Sequence, residues 1–93
     1  MTADYDKRHS AEVALDFPIE IDGTTYNKLT MRRLKTRDSL KAAEYRGSDA
    51  KRGVLLLADL CDVSPDVIEE LDDVDFQKLD QQLARFRGGQ SAN

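Results

Sequence analysis

Ninety-three residues, 40% apolar and 34% charged, are enough for one soluble domain with a single core and little surplus stability. No apolar run approaches the ~20 residues of a membrane helix, residues 1–9 lack the apolar stretch of a secretory signal, and a lone cysteine excludes an internal disulfide, so a reducing cytoplasm is the expected place of work. The net charge of −4 is uneven: residues 1–53 carry +2 and residues 54–93 carry −6, with cations gathered at Arg32, Arg33, Lys35, Arg37 and Lys41.

Residues 1–12 are expected to form a loose tail ahead of one domain over 13–87. Leu15, Phe17, Ile19 and Ile21 alternate with polar residues and Pro18, the pattern of a half-buried strand. Asp22-Gly23 supplies turn chemistry, and a return strand from about Thr25 to Arg33 completes a hairpin within 13–34. A three-residue loop, Asp22 to Thr24, is expected because it sets Phe17 opposite Leu29 and Leu15 opposite Met31; a two-residue loop would set Phe17 against Lys28. Pro18 has no N–H to give, so this stretch should face an edge or begin the ladder.

Helical spacing follows. Thr36 is expected to cap a helix over 36–46, with Gly47 in a left-handed conformation at its end. A second helix over 49–61 carries Val54, Leu56, Leu57, Leu60 and Cys61 on one face and is the expected cover for the hairpin. Gly53 costs that helix about 1 kcal/mol relative to alanine, a cost that a closely packed backbone would explain. Ser64-Pro65 opens a short helix over 65–71, and Asp72 or Asp73 caps a last helix over 74–86, with residues 88–93 as a tail. The fold class is α+β: an N-terminal hairpin followed by three to four short helices.

Catalytic groups are sparse. His9 lies in the expected tail without a positioned partner, and Cys61 sits on an apolar helix face, which disfavours thiolate. Asp72, Asp73 and Asp75 lack the ligand spacing of a calcium loop, and Gly88-Gly89 has no lysine or helix after it to cradle a phosphate. No enzyme activity, cofactor or metal is expected. Residues 57–71 have the layout of a helix-turn-helix, but the helix that would enter a groove offers Asp66, Glu69 and Glu70 and no cation. A small DNA-binding regulator and an antitoxin-like masking protein are the alternative readings. The apolar stripe Phe76, Leu79, Leu83 and Phe86 suits either packing within the domain or contact with another chain, a second copy included.

Two segments carry a family resemblance. Leu29-Thr30-Met31-Arg32-Arg33-Leu34-Lys35-Thr36-Arg37-Asp38 and the run from Val63-Ser64-Pro65 to Asp75-Phe76 make the chain similar to the small tail assembly chaperones of tailed phages, most closely the group in Mu-like phages and prophages. The resemblance implies a non-enzymatic protein of the host cytoplasm that binds the tape measure protein and is absent from the finished virion. It further implies a longer form, made by frameshifting, that recruits tail tube protein. Neither nucleic acid nor membrane is an expected partner. Contact is placed on Phe76, Leu79, Leu83 and Phe86 and on Arg32, Arg33 and Arg37, with aspartate at Leu79 and Leu83 expected to abolish it.

Overall fold

The computed structural model describes residues 10–88. Two antiparallel strands, β1 (Ser10–Ile21) and β2 (Thr24–Arg32), form a hairpin; four helices follow, α1 (Thr36–Glu44), α2 (Asp49–Cys61), α3 (Pro65–Glu70) and α4 (Asp73–Phe86). The architecture is α+β, as the periodicity implies. Strand β1 begins at Ser10, so residues 10–12 belong to the hairpin and not to a tail; residues 1–9 and 89–93, with His9 among them, lie outside the described residues.

The hairpin departs from the expected register. Ile21 pairs with Thr24 across a two-residue turn in which Asp22 and Gly23 both have positive φ, 51° and 83°, the turn that matches strand twist. Ile19 pairs with Tyr26, yet Ala14 already pairs with Lys28, so Leu15, Asp16, Phe17 and Pro18 stand opposite Asn27 alone. This bulge of three extra residues reconciles the tight turn with apolar pairing: Leu29 meets Val13, and Met31 meets Ala11. Phe17 is 53% exposed and does not face Leu29, while Pro18 sits in the bulge where no ladder donor is needed.

The bulge leaves donors to satisfy, and α4 supplies the acceptor. Asp75, fully buried, accepts the backbone N–H of Asp16 at 2.7 Å and of Phe17 at 3.0 Å. Lys78, one turn on, donates to the Ala14 carbonyl at 3.0 Å and to the Asp16 carboxylate at 2.7 Å, and lies 3.5 Å from Asp75. Those N–H groups and Lys78 hold the Asp75 carboxyl below its ordinary pKa although burial alone would raise it.

The core joins Val13, Leu15, Leu29 and Met31 of the hairpin to Leu57 and Leu60 of α2, Val67 and Ile68 of α3, and Leu79 and Leu83 of α4. Helix α2 packs on β2, as the apolar face implies, and α4 packs on β1. The Ser48 side chain caps α2 through the Lys51 N–H at 3.1 Å, and Asp72 caps α4 through the Val74 N–H at 3.0 Å.

Helix α1 differs in both ends from the expectation. Its N-cap is Lys35, not Thr36: the Asp38 carboxylate accepts the Lys35 N–H at 2.8 Å and so fixes the first turn. It stops at Glu44, with Tyr45 extended, and Gly47 does not take a left-handed conformation. Arg52, from α2, donates to the Ala42 and Tyr45 carbonyls at 3.0 and 2.9 Å, satisfying terminal acceptors that a glycine cap would otherwise serve. A Cβ on Gly53 would meet nothing within 4 Å, so no packed backbone explains that glycine.

Candidate functional site

Chemistry-bearing residues do not converge. Cys61 is buried, and desolvation pushes its thiol up to about 12, which removes the thiolate at neutral pH. Among the described residues no group of three or more His, Cys, Asp or Glu is placed to hold a metal, and no helix is long and apolar enough to cross a membrane. Asp72, Asp73 and Asp75 serve three different ends: a helix cap, a bond from the Gln77 amide at 2.8 Å, and the β1 bulge.

The stripe on α4 is part of the domain's own core. Leu79 is fully buried, Leu83 and Phe86 nearly so, and Phe76 packs partly buried against them. Its placement corrects the expectation of an exposed partner contact: the hairpin leaves Val13, Leu15, Leu29 and Met31 in need of cover, and α4 lies on β1. Aspartate at Leu79 and Leu83 would therefore unfold the domain before it could report on a partner.

The basic residues divide by role. Arg32 makes a two-pronged bond to Asp38, both contacts 2.8 Å, where the strand hands over to α1. That guanidinium holds the Asp38 carboxyl down to about 2, and the carboxylate raises Arg32 in turn. Arg32 thus ties the joint together and is not a free contact for a partner. Arg33 is exposed with its guanidinium 5.5 Å from the centre of the Phe86 ring, a cation–π contact that links the joint to the end of α4. Arg37 is exposed and forms no ion pair among the described residues.

Helix α1 is fastened by polar ties. It buries no apolar side chain, Asp38 being its one buried residue. Arg32–Asp38, Lys41–Asp59 at 3.0 Å and the two Arg52 bonds hold it to β2 and α2. Between α1 and α2 remains a groove of about 240 Å³ floored by Ala42, Tyr45, Leu55 and Leu56 and edged by Lys41 and Asp59. A second recess, shared with its charged end, is lined by Arg32, Arg37, Asp38, Lys41 and Asp59. An apolar floor with charged edges suits the side chains of an amphipathic helix. Its sequence signal was weak: Ala42, Tyr45, Leu55 and Leu56 come from two helices, and no spacing within either marks a groove between them.

Helices α2 and α3 meet at a turn where Asp62 adopts a left-handed conformation and donates its N–H to the Ala58 and Asp59 carbonyls. Helix α3 has six residues and exposes Asp66, Glu69 and Glu70, an anionic face unsuited to phosphate.

The model of a family described as phage tail assembly chaperone proteins, E, or 41 or 14, matches residues 12–88, from the first strand to the end of α4. No curated protein and no solved structure matches the chain.

Proposed function

The chain belongs to the phage tail assembly chaperone family, and on that premise we propose that it binds the tape measure protein while a tail is built, without catalysing a reaction. The same reading has it act in the host cytoplasm, stay out of the finished virion, and share its sequence with a frameshifted longer form that engages tail tube protein. The observation that carries the proposal is the family match over residues 12–88, which takes in all but the first two residues of the hairpin and all four helices.

The groove between α1 and α2 is the proposed seat. Its floor of Ala42, Tyr45, Leu55 and Leu56 offers apolar surface to a tape measure helix, and Arg37 at the charged end steers acidic residues of that helix. With Leu79, Leu83 and Phe86 committed to the core, the stripe drops out of the proposed contact, and so does Arg33, which lies over the Phe86 ring; Arg37 lines the charged end of the groove together with Arg32, which Asp38 holds in place. Co-expression tests the reading. Tape measure protein should remain soluble and co-purify with the native chain, and should be lost to the pellet with Ala42→Glu, which fills the groove with charge while leaving the core untouched. Equal recovery with and without the chain would refute chaperone action.

A further inference from the structure

The lip that α1 gives to the groove carries charge of both signs. Arg37, Lys41 and Glu44 stand at i, i+4 and i+7, along one side of the helix. Lys41 is tied across the groove to Asp59 at 3.0 Å, whereas Arg37 and Glu44 are exposed and form no ion pair among the described residues. Glu44 borders the apolar groove and Arg37 the recess at its charged end. A cation near the start of α1 and an anion near its end therefore stand about 10 Å apart, two helical turns.

Tyr45 closes the groove where α1 ends, and its place is fixed twice. Its backbone is extended, and its carbonyl accepts Arg52 Nη2 at 2.9 Å. Its ring lies against Gly47, where a Cβ would collide with the ring carbons and the hydroxyl. Gly47 does not have positive φ, so a glycine is needed there for close approach and not for a turn. The groove measures about 240 Å³. An apolar cavity of about 150 Å³ holds one benzene, so there is room for a single aromatic ring system and not for two.

Resting on the reading of this groove as the seat of a partner helix, we propose that it holds one aromatic side chain, packed against the Tyr45 ring, from a helix that carries an acid about one turn to one side and a base about one turn to the other. The acid meets Arg37 and the base meets Glu44. Tyr45 selects the ring, because aromatic pairs attract beyond the area they bury, and Gly47 is a positioning residue that keeps Tyr45 in place. A leucine would cover Ala42, Leu55 and Leu56 equally well but gain nothing from Tyr45. A segment acidic throughout would meet Glu44 and be repelled.

Two probes of one size, phenol and cyclohexanol, test the choice of ring on the purified full chain with no partner present, by titration followed through backbone amide resonances. Phenol should shift the amides of Ala42, Tyr45 and Leu55 to saturation and bind about 2- to 12-fold more tightly than cyclohexanol, the margin of an aromatic pair. Tyr45→Leu should erase that margin in a chain that still folds, because Arg52 bonds to a carbonyl that the substitution keeps. Gly47→Ala should erase it by displacing the ring. The flanks are tested with an alanine-based helical peptide in which tryptophan follows glutamate by three residues and lysine follows tryptophan by four. Arg37→Glu should weaken its binding about 3- to 10-fold, exchanging an attraction for a repulsion of similar size, and leave phenol unaffected. Equal affinity for phenol and cyclohexanol, phenol shifts that avoid the groove, a margin that survives Tyr45→Leu, or a peptide indifferent to Arg37→Glu would each overturn the proposal. Co-purification of tape measure protein is a separate readout: a chain that recovers that protein and lacks the margin loses the aromatic anchor and keeps the groove as its seat.

Discussion

Removing the Asp75 carboxylate is the sharpest perturbation of the fold. Asp75→Ala leaves the Asp16 and Phe17 N–H groups, now bonded at 2.7 and 3.0 Å, facing a buried void. An unpaired buried donor costs about 1–3 kcal/mol, and bonds to a charged acceptor lie toward the upper end, so the pair costs about 4 kcal/mol. Lys78 adds less: it keeps the Asp16 carboxylate and Ala14 carbonyl as partners and is a third exposed, where an ion pair contributes about 0–1 kcal/mol. A chain of this size holds roughly 5–14 kcal/mol in all, and about 4–8 °C of melting temperature goes with each kcal/mol. Asp75→Ala should therefore lower Tm by about 15–30 °C, and Lys78→Met by about 5 °C or less. Urea unfolding followed by circular dichroism measures both, and amide exchange at Asp16 and Phe17 localises the change. A loss below about 1 kcal/mol for Asp75→Ala would refute the claim that this carboxylate holds the bulge.

Further predictions follow from single sites. Gly53→Ala should stabilise the domain by about 0.5–1 kcal/mol, since the helix gains propensity and the new methyl meets nothing within 4 Å; a denaturation midpoint that falls would contradict it. Leu79→Ala should cost about 2–5 kcal/mol by opening a cavity at a fully buried site, whereas a loss under about 0.5 kcal/mol would mean the stripe is not core. Asp38 has a folded pKa of about 2, below its unfolded value, so the folded state binds fewer protons: its contribution to stability is whole above about pH 4 and disappears as pH falls toward 2. Acid titration of Asp38→Asn should flatten the native curve within that window, and identical curves would rule out the Arg32–Asp38 bond as its source. Amide exchange should be faster in α1 than in α2, because α1 is held by ion pairs and carbonyl bonds without buried apolar side chains; equal protection would contradict that picture.

Local chemistry made much of the fold legible. Asp72, one of the two residues expected to cap the last helix, does so because a short side chain placed before an apolar-periodic run can accept an orphan N–H, and Ser48 serves α2 in the same way. Asp22-Gly23 read as a turn for an equally local reason, positive φ, but its length was hidden. The three extra residues of β1 depend on Asp75, 59 positions beyond Asp16, and no alternation within the strand reveals an acceptor on a later helix. The same distance effect concealed the end of α1, where Arg52 of the next helix replaces the glycine cap that Gly47 suggested.

The candidate contact residues were legible as types and not as places. A stripe of Phe76, Leu79, Leu83 and Phe86 has one spacing whether it faces its own hairpin or another chain, and the count of uncovered hairpin residues decides between them. Arg32, Arg33 and Arg37 stood together in sequence, yet their fates separate: Asp38 binds the first, the Phe86 ring lies under the second, and the third forms no ion pair among the described residues. The groove between α1 and α2 exists only once the helices are packed.

Hydrogen exchange of the chain, free and in complex with the tape measure protein, puts the central claim to the most direct test. A stable complex with new protection along α1 and the first half of α2, and none added at Leu79 and Leu83, is the predicted result. No complex with the folded chain, or protection confined to α4, would contradict it.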